Sequence, residues 1–251
     1  YDCHENYPGL VKGAISSRGA NILHKIEAYL LNYCTGIMAA GPAGYIRLND
    51  MLNIGPSAPF NANDEEAFKV LSKPQSEFLN SRITRVGNAK RLDAYPLSRI
   101  QKRKRNKKFR ILYIGVLEKH PSRGILETAI TVNKMKDVQF DIGGFGTLVP
   151  TIMKVCEKMA NVNYIGSIHP DNVPLQTIES DAVLMALDPK NDNNRMSAPN
   201  KLFEAMSAGV PIITCKELLM GQFVENEEIG LTFEWGKWDR LKAAIMKLIY
   251  D

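Results

Sequence analysis

Ser197-Ala-Pro-Asn-Lys-Leu-Phe-Glu-Ala-Met-Ser-Ala-Gly-Val-Pro211 is the stretch whose reading decides the fold. It predicts a short helix running into a buried strand. Pro199 suits the first helical turn, where its missing N–H goes unused. Leu202, Phe203 and Met206 share one face and are expected to pack inward. Lys201 and Glu204, one turn apart, fall on another face. Gly209 closes the helix, Pro211 forbids its continuation, and Val210 to Thr214 starts a strand. A polar pair on a helix that emerges from a parallel sheet suits a phosphate and its sugar.

Outward from that stretch, residues 110–251 alternate strand and helix. Strands are expected at Arg110–Gly115, Val138–Ile142, Val162–Ile165, Asp181–Leu187, Pro211–Thr214 and Gly230–Phe233. Helices are expected at Leu126–Met135, Val149–Met159 and Pro174–Glu179. Trp238, Leu241, Ile245 and Leu248 form the apolar stripe of a last one. Regular βα alternation predicts a parallel sheet covered on both faces, with ligands at the carboxyl ends of its strands.

Residues 1–98 are less regular. Tyr1 to His4 reads as the tail of a strand, and Thr35–Ala40 and Arg82–Asn88 as strands. Ile22, Leu23, Ile26, Leu30 and Tyr33 have helical spacing, so Ile15–Tyr33 is expected to be an amphipathic helix. Met51–Asp64 reads as a loop and Glu65–Asn80 as helical. This resembles the second half of an α/β domain. The expected division is 1–98, a basic linker at 99–109, and a second domain at 110–251. The chain begins at Tyr1 inside what reads as a domain, so a fragment or processed chain is expected.

The 251 residues are 45% hydrophobic and 24% charged, ordinary for a globular protein, and no apolar run approaches the length of a membrane span. Cys3, Cys34, Cys156 and Cys215 are scattered, without metal spacing, which suits reduced thiols in a cytoplasmic protein. No metal site is expected. The net charge of +5 is concentrated in Lys102-Arg-Lys-Arg-Asn-Lys-Lys-Phe-Arg110. That run fits a solvated linker, a contact with anionic lipid, or a nucleic-acid patch. Its single aromatic, Phe109, starts the next strand, which counts against base stacking.

Several residues admit a structural and a functional reading. Gly143-Gly-Phe-Gly146 reads as a tight turn where a ligand approaches backbone, rather than a dinucleotide fingerprint, because the third glycine is absent. Arg123, in Ser122-Arg-Gly124, is either a diphosphate-binding arginine beside a permissive glycine or an exposed loop residue. Glu204 either accepts ribose hydroxyls or forms an ion pair with Lys201. His4 reads as structural or exposed, and no nucleophile–base pair is visible.

Together these segments resemble family 4 glycosyltransferases, whose GT-B fold has two Rossmann-like domains. Residues 197–213 are similar to that family's helix, in which a lysine and a glutamate precede Ala-Gly-x-Pro. Arg123-Gly124 stands where the family has Lys-Gly, and Gly144-Phe-Gly146 where it has Gly-x-Gly. Val162-Asn-Tyr-Ile-Gly166, Ser180-Asp-Ala-Val-Leu184 and Glu228-Ile-Gly230 resemble its later strands and turn. Asp2-Cys-His-Glu-Asn-Tyr-Pro8 and Val86-Gly-Asn88 resemble parts of its first domain.

The resemblance implies an α/β chain of GT-B type: a Rossmann-like C-terminal donor domain with a parallel sheet, plus a partial N-terminal acceptor domain. It implies sugar transfer from a nucleotide diphosphate sugar to a glycan or lipid-linked acceptor, with retention and without metal or cofactor. Carried over by position, Arg123, Gly124 and Lys201 would bind the diphosphate and Glu204 the ribose. Gly144, Ser197 and Asn200 would line the donor pocket, and His4 would face the sugar. The implied setting is polysaccharide or glycolipid synthesis in the cytoplasm, with peripheral contact to the inner membrane face and no nucleic acid. Two departures stand out. Met196 replaces a family glutamate eight residues before Glu204, and Val116 replaces an arginine after the first strand glycine. They motivate an alternative, a non-catalytic nucleotide-sugar- or partner-binding module.

Overall fold

The computed structural model describes residues 2–3, 17–31, 37–39, 83–85, 90–104, 106–119 and 122–250. The chain divides into two compact units, Tyr1–Asn88 with Lys190–Ala198, and Ala89–Pro189 with Pro199–Asp251.

In the first unit, β1 (Asp2–Cys3), β2 (Ile37–Ala39) and β3 (Ile83–Arg85) pair in that order, all parallel. Helix α1 (Ser17–Leu31) lies on the chain between β1 and β2, as a parallel crossover requires. Its buried side is not the one that the apolar spacing marks. Leu31 and Glu27 are buried, while Ile22, Ile26 and Leu30 stand 52, 49 and 52% exposed. Stripes 22-26-30 and 23-27-31 lie about 100° apart on a helix. Burial follows the second, which Glu27 disguises in the sequence. The loop expected at 51–64, the helix at 65–80, and Val86-Gly-Asn88 lie outside the described residues.

The second unit opens with α2 (Leu97–Gln101), a helix the sequence reading did not anticipate. Six parallel strands follow: β4 (Phe109–Val116), β5 (Val138–Phe145), β6 (Val162–Tyr164), β7 (Ala182–Met185), β8 (Ile212–Cys215) and β9 (Gly230–Phe233). Their spatial order is β6-β5-β4-β7-β8-β9. Connecting and flanking helices are α3 (Ile125–Val132), α4 (Val149–Cys156), α5 (Val173–Ile178), α7 (Asn200–Ala208), α8 (Leu219–Asn226) and α9 (Trp238–Tyr250). The short α6 (Asp192–Met196) falls in the first unit's segment. The chain winds from β4 outward to β6, then returns to β7 and winds the other way. The reversal between β4 and β7 is a topological switch point, where α/β sheets of this kind open a crevice at their strand carboxyl ends.

Burial on both sheet faces explains the apolar strands: Ile111, Tyr113, Phe140, Ile142, Leu184 and Ile213 on one face, and Leu112, Val183, Met185 and Ile212 on the other, are all buried. At the amino-terminal end of the sheet, the Arg110 guanidinium pairs with Asp141 at 2.5 Å and donates to Gln176 Oε1 at 2.6 Å. The basic run preceding β4 is partly tied to the same unit. Arg103 donates to the Ser180 carbonyl at 3.2 Å, Asn106 to Asp181 at 2.8 Å, and Lys108 to Asn161 at 2.6 Å.

Two local expectations are corrected. Gly143-Gly-Phe-Gly146 is not a turn: β5 runs on through Phe145 and pairs Gly144 with Gly115 of β4. A Cβ on Gly144, whose φ is +136°, would stand 1.8 Å from the Gly115 oxygen, so glycine lets two strands close on each other. In α7, Leu202, Ala205 and Ala208 are the buried residues, whereas Met206 is 42% exposed. Small alanines at that face let the helix lie close on the sheet. Helix α8 was missed because Gly221 interrupts its pattern, although a Cβ there would meet the Cys215 oxygen at 2.3 Å.

Candidate functional site

Helix α7 presents its N-terminus without a cap. Pro199 sits at the N-cap in extended conformation (φ −65°, ψ 148°), one position before the expected first helical turn. It offers no side-chain hydrogen bond, and the first turn carries no acid. The Asn200 and Lys201 N–H groups therefore face no side-chain cap and suit an anion, while that of Leu202 donates to the Pro199 carbonyl at 3.1 Å. At the other end Gly209 takes φ +61° and returns the chain to β8.

Lys201, in the first turn of α7, sends its ammonium over the ring of Tyr113, with Nζ 4.6 Å from the centroid. Tyr113 is fully buried in β4 and donates its hydroxyl to the Val116 carbonyl at 3.0 Å. Burial pushes Lys201 down to about 8, and the nearby Arg123 guanidinium adds to this, against an opposing pull from Glu204. Burial raises the Tyr113 phenol to about 12, with Arg123 opposing. Among the described residues no carboxylate lies within ion-pair distance of Lys201 or Arg123. The Arg123 Nε is buried without a hydrogen-bond partner. Two cations share one region, and among the described residues neither has an anion at ion-pair distance.

Glu204, one turn after Lys201, does not pair with it. Its Oε1 accepts a hydrogen bond from Lys90 at 2.8 Å, with the two side chains 21 and 17% exposed for Lys90 and Glu204. Tyr95 lies close enough that Glu204 adds to the burial that raises its phenol to about 12.

The loops around these groups are braced. Gly124 takes φ +61° as the N-cap of α3, and a Cβ there would meet Ala186 at 3.0 Å and Trp238 at 3.2 Å. The Ser122 carbonyl accepts from the Asp188 amide at 3.0 Å, joining the loops after β4 and β7. Glu118 accepts from the Thr147 amide at 3.1 Å and also from its hydroxyl, joining the loops after β4 and β5. Those hydrogen bonds hold the Glu118 carboxyl below its ordinary value.

Of the residues singled out in the sequence, Arg123, Gly124, Gly144, Asn200, Lys201 and Glu204 all belong to the second unit, around the carboxyl end of β4 and the start of α7. Ser197 belongs to the segment assigned to the first unit, where its hydroxyl donates to the Asn194 carbonyl at 3.0 Å. His4 lies outside the described residues. Tyr113 and Lys90 were missed. Tyr113 reads as one more apolar strand residue. Lys90 sits in a stretch with no periodic signal, and only folding brings it to Glu204. Among the described residues, no group of three or more His, Cys, Asp or Glu side chains is placed to hold a metal ion.

No curated protein sequence matches the chain. The family described as glycosyl transferases group 1 matches residues 108–251. Among solved structures, a variant of S. aureus TarM in complex with Fondaparinux, alpha-GlcNAc-glycerol and UDP is 15% identical, with a TM-score of 0.61; the match covers 99% of this chain and 42% of that one. Anabaena Alr3699/HepE in complex with UDP-glucose is 15% identical, with a TM-score of 0.64 and coverage of 100 and 62%. Sucrose-phosphate synthase from Thermosynechococcus elongatus is 17% identical, with a TM-score of 0.64 and coverage of 97 and 57%. The chain thus spans between 42 and 62% of the length of these proteins. At such identities the likeness speaks for the fold, α/β of GT-B type with Rossmann-like domains.

Proposed function

Because the chain belongs to the group 1 glycosyl transferases, we propose that it binds a nucleotide diphosphate sugar and moves the sugar to a glycan or lipid-linked acceptor. The observation that carries this reading is a pair of cations without counter-anions among the described residues: Lys201 over Tyr113, and Arg123 with its orphaned Nε. They stand beside the uncapped N-terminus of α7 at the carboxyl end of the sheet. A diphosphate supplies the missing charge and accepts from the orphaned donors.

In the transfer, the bond between the anomeric carbon and the diphosphate oxygen breaks, the acceptor hydroxyl oxygen bonds to that carbon, and the hydroxyl proton passes to the departing diphosphate. Negative charge grows on the departing diphosphate, and Lys201, Arg123 and the α7 amides stabilise it there. Positive charge develops on the sugar ring at the same time. Glu204 takes the ribose hydroxyls, exchanging its Lys90 partner for them or sharing it with them. Gly124 shapes the approach of backbone to ligand and Asn200 lines the donor pocket; the family resemblance alone assigns Gly144 and Ser197 to the donor and His4 to the sugar. We assign retention of configuration, no metal and no cofactor besides the donor substrate.

The acceptor is met in the cytoplasm at an anionic membrane surface, where Lys102, Lys104 and Lys107 remain exposed on the basic run. No described helix is long and apolar enough to cross a membrane. A second reading, a donor-binding module without transfer activity, is favoured by Val116, 41% exposed where the resemblance calls for an arginine.

Incubating the chain, and a longer form carrying preceding residues, with a panel of nucleotide diphosphate sugars and measuring nucleoside diphosphate release separates the two. Release that Lys201→Met abolishes supports transfer. Binding of the donor with no release from either form supports the module.

A further inference from the structure

Side chains of a strand alternate between faces, so Ile111, Tyr113 and Gly115 stand in line on one face of β4. The line runs from an aliphatic chain to a large ring to no side chain at all, toward the carboxyl end of the sheet. The ammonium of Lys201 occupies the step. A Cβ on Gly115 would meet Lys201 Nζ at 3.2 Å and the Tyr113 hydroxyl at 3.2 Å. The ring beneath is fixed, being fully buried and tethered through its hydroxyl to the Val116 carbonyl. The ammonium-to-centroid distance of 4.6 Å is within the range in which a ring face attracts a cation.

The charged and titratable groups that act on Lys201 come from three elements. Arg123, on the loop before α3, repels the ammonium, and Glu204, on α7 itself, attracts it. Tyr113 lies below, on β4. Glu204 is engaged by Lys90, which leaves the ring face as the one close electron-rich surface under the ammonium among the described residues. A carboxylate in the same place would hold the lysine as firmly but would cancel its charge and repel a diphosphate.

We propose that Tyr113 is a positioning residue for the donor: its ring seats the Lys201 ammonium in the space left by Gly115 and keeps its charge uncompensated for the incoming diphosphate. The proposal rests on the diphosphate seat assigned above and deepens it. Tyr113 does not touch the donor; it acts through Lys201. With Lys201 set near 8 by burial and Arg123, diphosphate binding draws a proton onto the lysine as pH rises through that value.

The test uses the whole chain and UDP as probe, by titration calorimetry from pH 6.5 to 9.5 in buffers of different ionisation heat. Tyr113 is replaced by Phe, by mono- and trifluorinated phenylalanine, and by Leu. The fluorinated rings keep the shape and drain the face of its negative potential. Phe is expected to bind UDP within about threefold of the parent, the fluorinated rings progressively more weakly, and Leu about tenfold or more weakly. The pH at which affinity falls should move downward in the same order, because the ammonium loses its support. Equal affinity and an unmoved pH midpoint across the fluorinated series would overturn the proposal, and that series decides even where the Leu variant fails to fold. Lys201→Met and Arg123→Ala are run alongside. If the parent does not bind UDP, or both variants bind it like the parent, the diphosphate seat itself falls and the proposal with it.

Discussion

Lys90 reaches the carboxylate of Glu204 at 2.8 Å, so the acid assigned to the ribose is held by a residue 114 positions away rather than by its helical neighbour Lys201. The pairing leaves Lys201 with no carboxylate at ion-pair distance among the described residues.

Because both members of the pair are mostly buried, truncating either exposes the other to desolvation without compensation. Lys90→Met and Glu204→Gln are each expected to lower stability by about 2 kcal/mol, between the values for exposed and buried pairs. Urea melts of the single and double variants check this. Additive losses in that cycle would mean the two residues are not coupled.

If Glu204 accepts the ribose hydroxyls, UDP should bind better than its 2′-deoxy counterpart by roughly tenfold, the worth of a hydrogen bond to a charged acceptor. Glu204→Gln should remove most of that preference while leaving a measurable affinity for the diphosphate. Calorimetry with the two nucleotides gives the ratio directly.

Glycines divide into those that make room and those that merely turn. Gly144→Ala puts a Cβ 1.8 Å from the backbone oxygen of Gly115, and two paired strands have nowhere to go. It is expected to destabilise by about 4 kcal/mol or more, or to prevent folding. Gly236→Ala, with φ +81° and nothing within 4 Å of the new Cβ, should lose only about 1 kcal/mol to backbone strain. Thermal melts of the two variants should differ accordingly.

Lys201 stands near 8 in the folded chain, below its ordinary value of 10.5. Between those values the unfolded chain holds a proton that the folded chain has released, so this residue makes stability rise with pH across that window. Below it the lysine carries a constant penalty. Lys201→Met should therefore be more stable than the parent at pH 7, by about 1 kcal/mol once solvent screening is allowed for. That amounts to about 2–4 °C in Tm. The advantage should shrink toward pH 10.5, and the more stable protein should be the one that no longer gains stability from UDP.

Much of this was legible in the chain itself. Regular apolar runs marked all six strands of the larger sheet, because strands buried on both faces need nothing but bulk and branching. Arg123 and Lys201 were singled out by the family resemblance; spacing alone left Arg123 open between a diphosphate site and an exposed loop residue, and Lys201 between a donor site and an ion pair with Glu204. Three things were hidden. Gly143-Gly-Phe-Gly146 looked like a turn, since the close approach of β4 that makes glycine necessary is a long-range fact. The apolar spacing of α1 does not mark its buried side, because Glu27 lies on that side. Tyr113 and Lys90 were invisible because their roles are defined by partners 88 and 114 positions away. Periodicity reports which face of an element is buried; it carries no information about which charge ends up against which ring.

The central claim is that Lys201 and Arg123 form a seat for the second phosphate of a nucleotide. The most direct measurement is the affinity of UMP and UDP for the parent chain, Lys201→Met and Arg123→Ala at pH 7, by titration calorimetry. UDP should bind the parent about tenfold or more tightly than UMP, in line with charge-assisted hydrogen bonds to the added phosphate. Each substitution should erase most of that gain while leaving UMP affinity little changed. Equal binding of UMP and UDP by the parent, or a gain that survives both substitutions, would contradict the account.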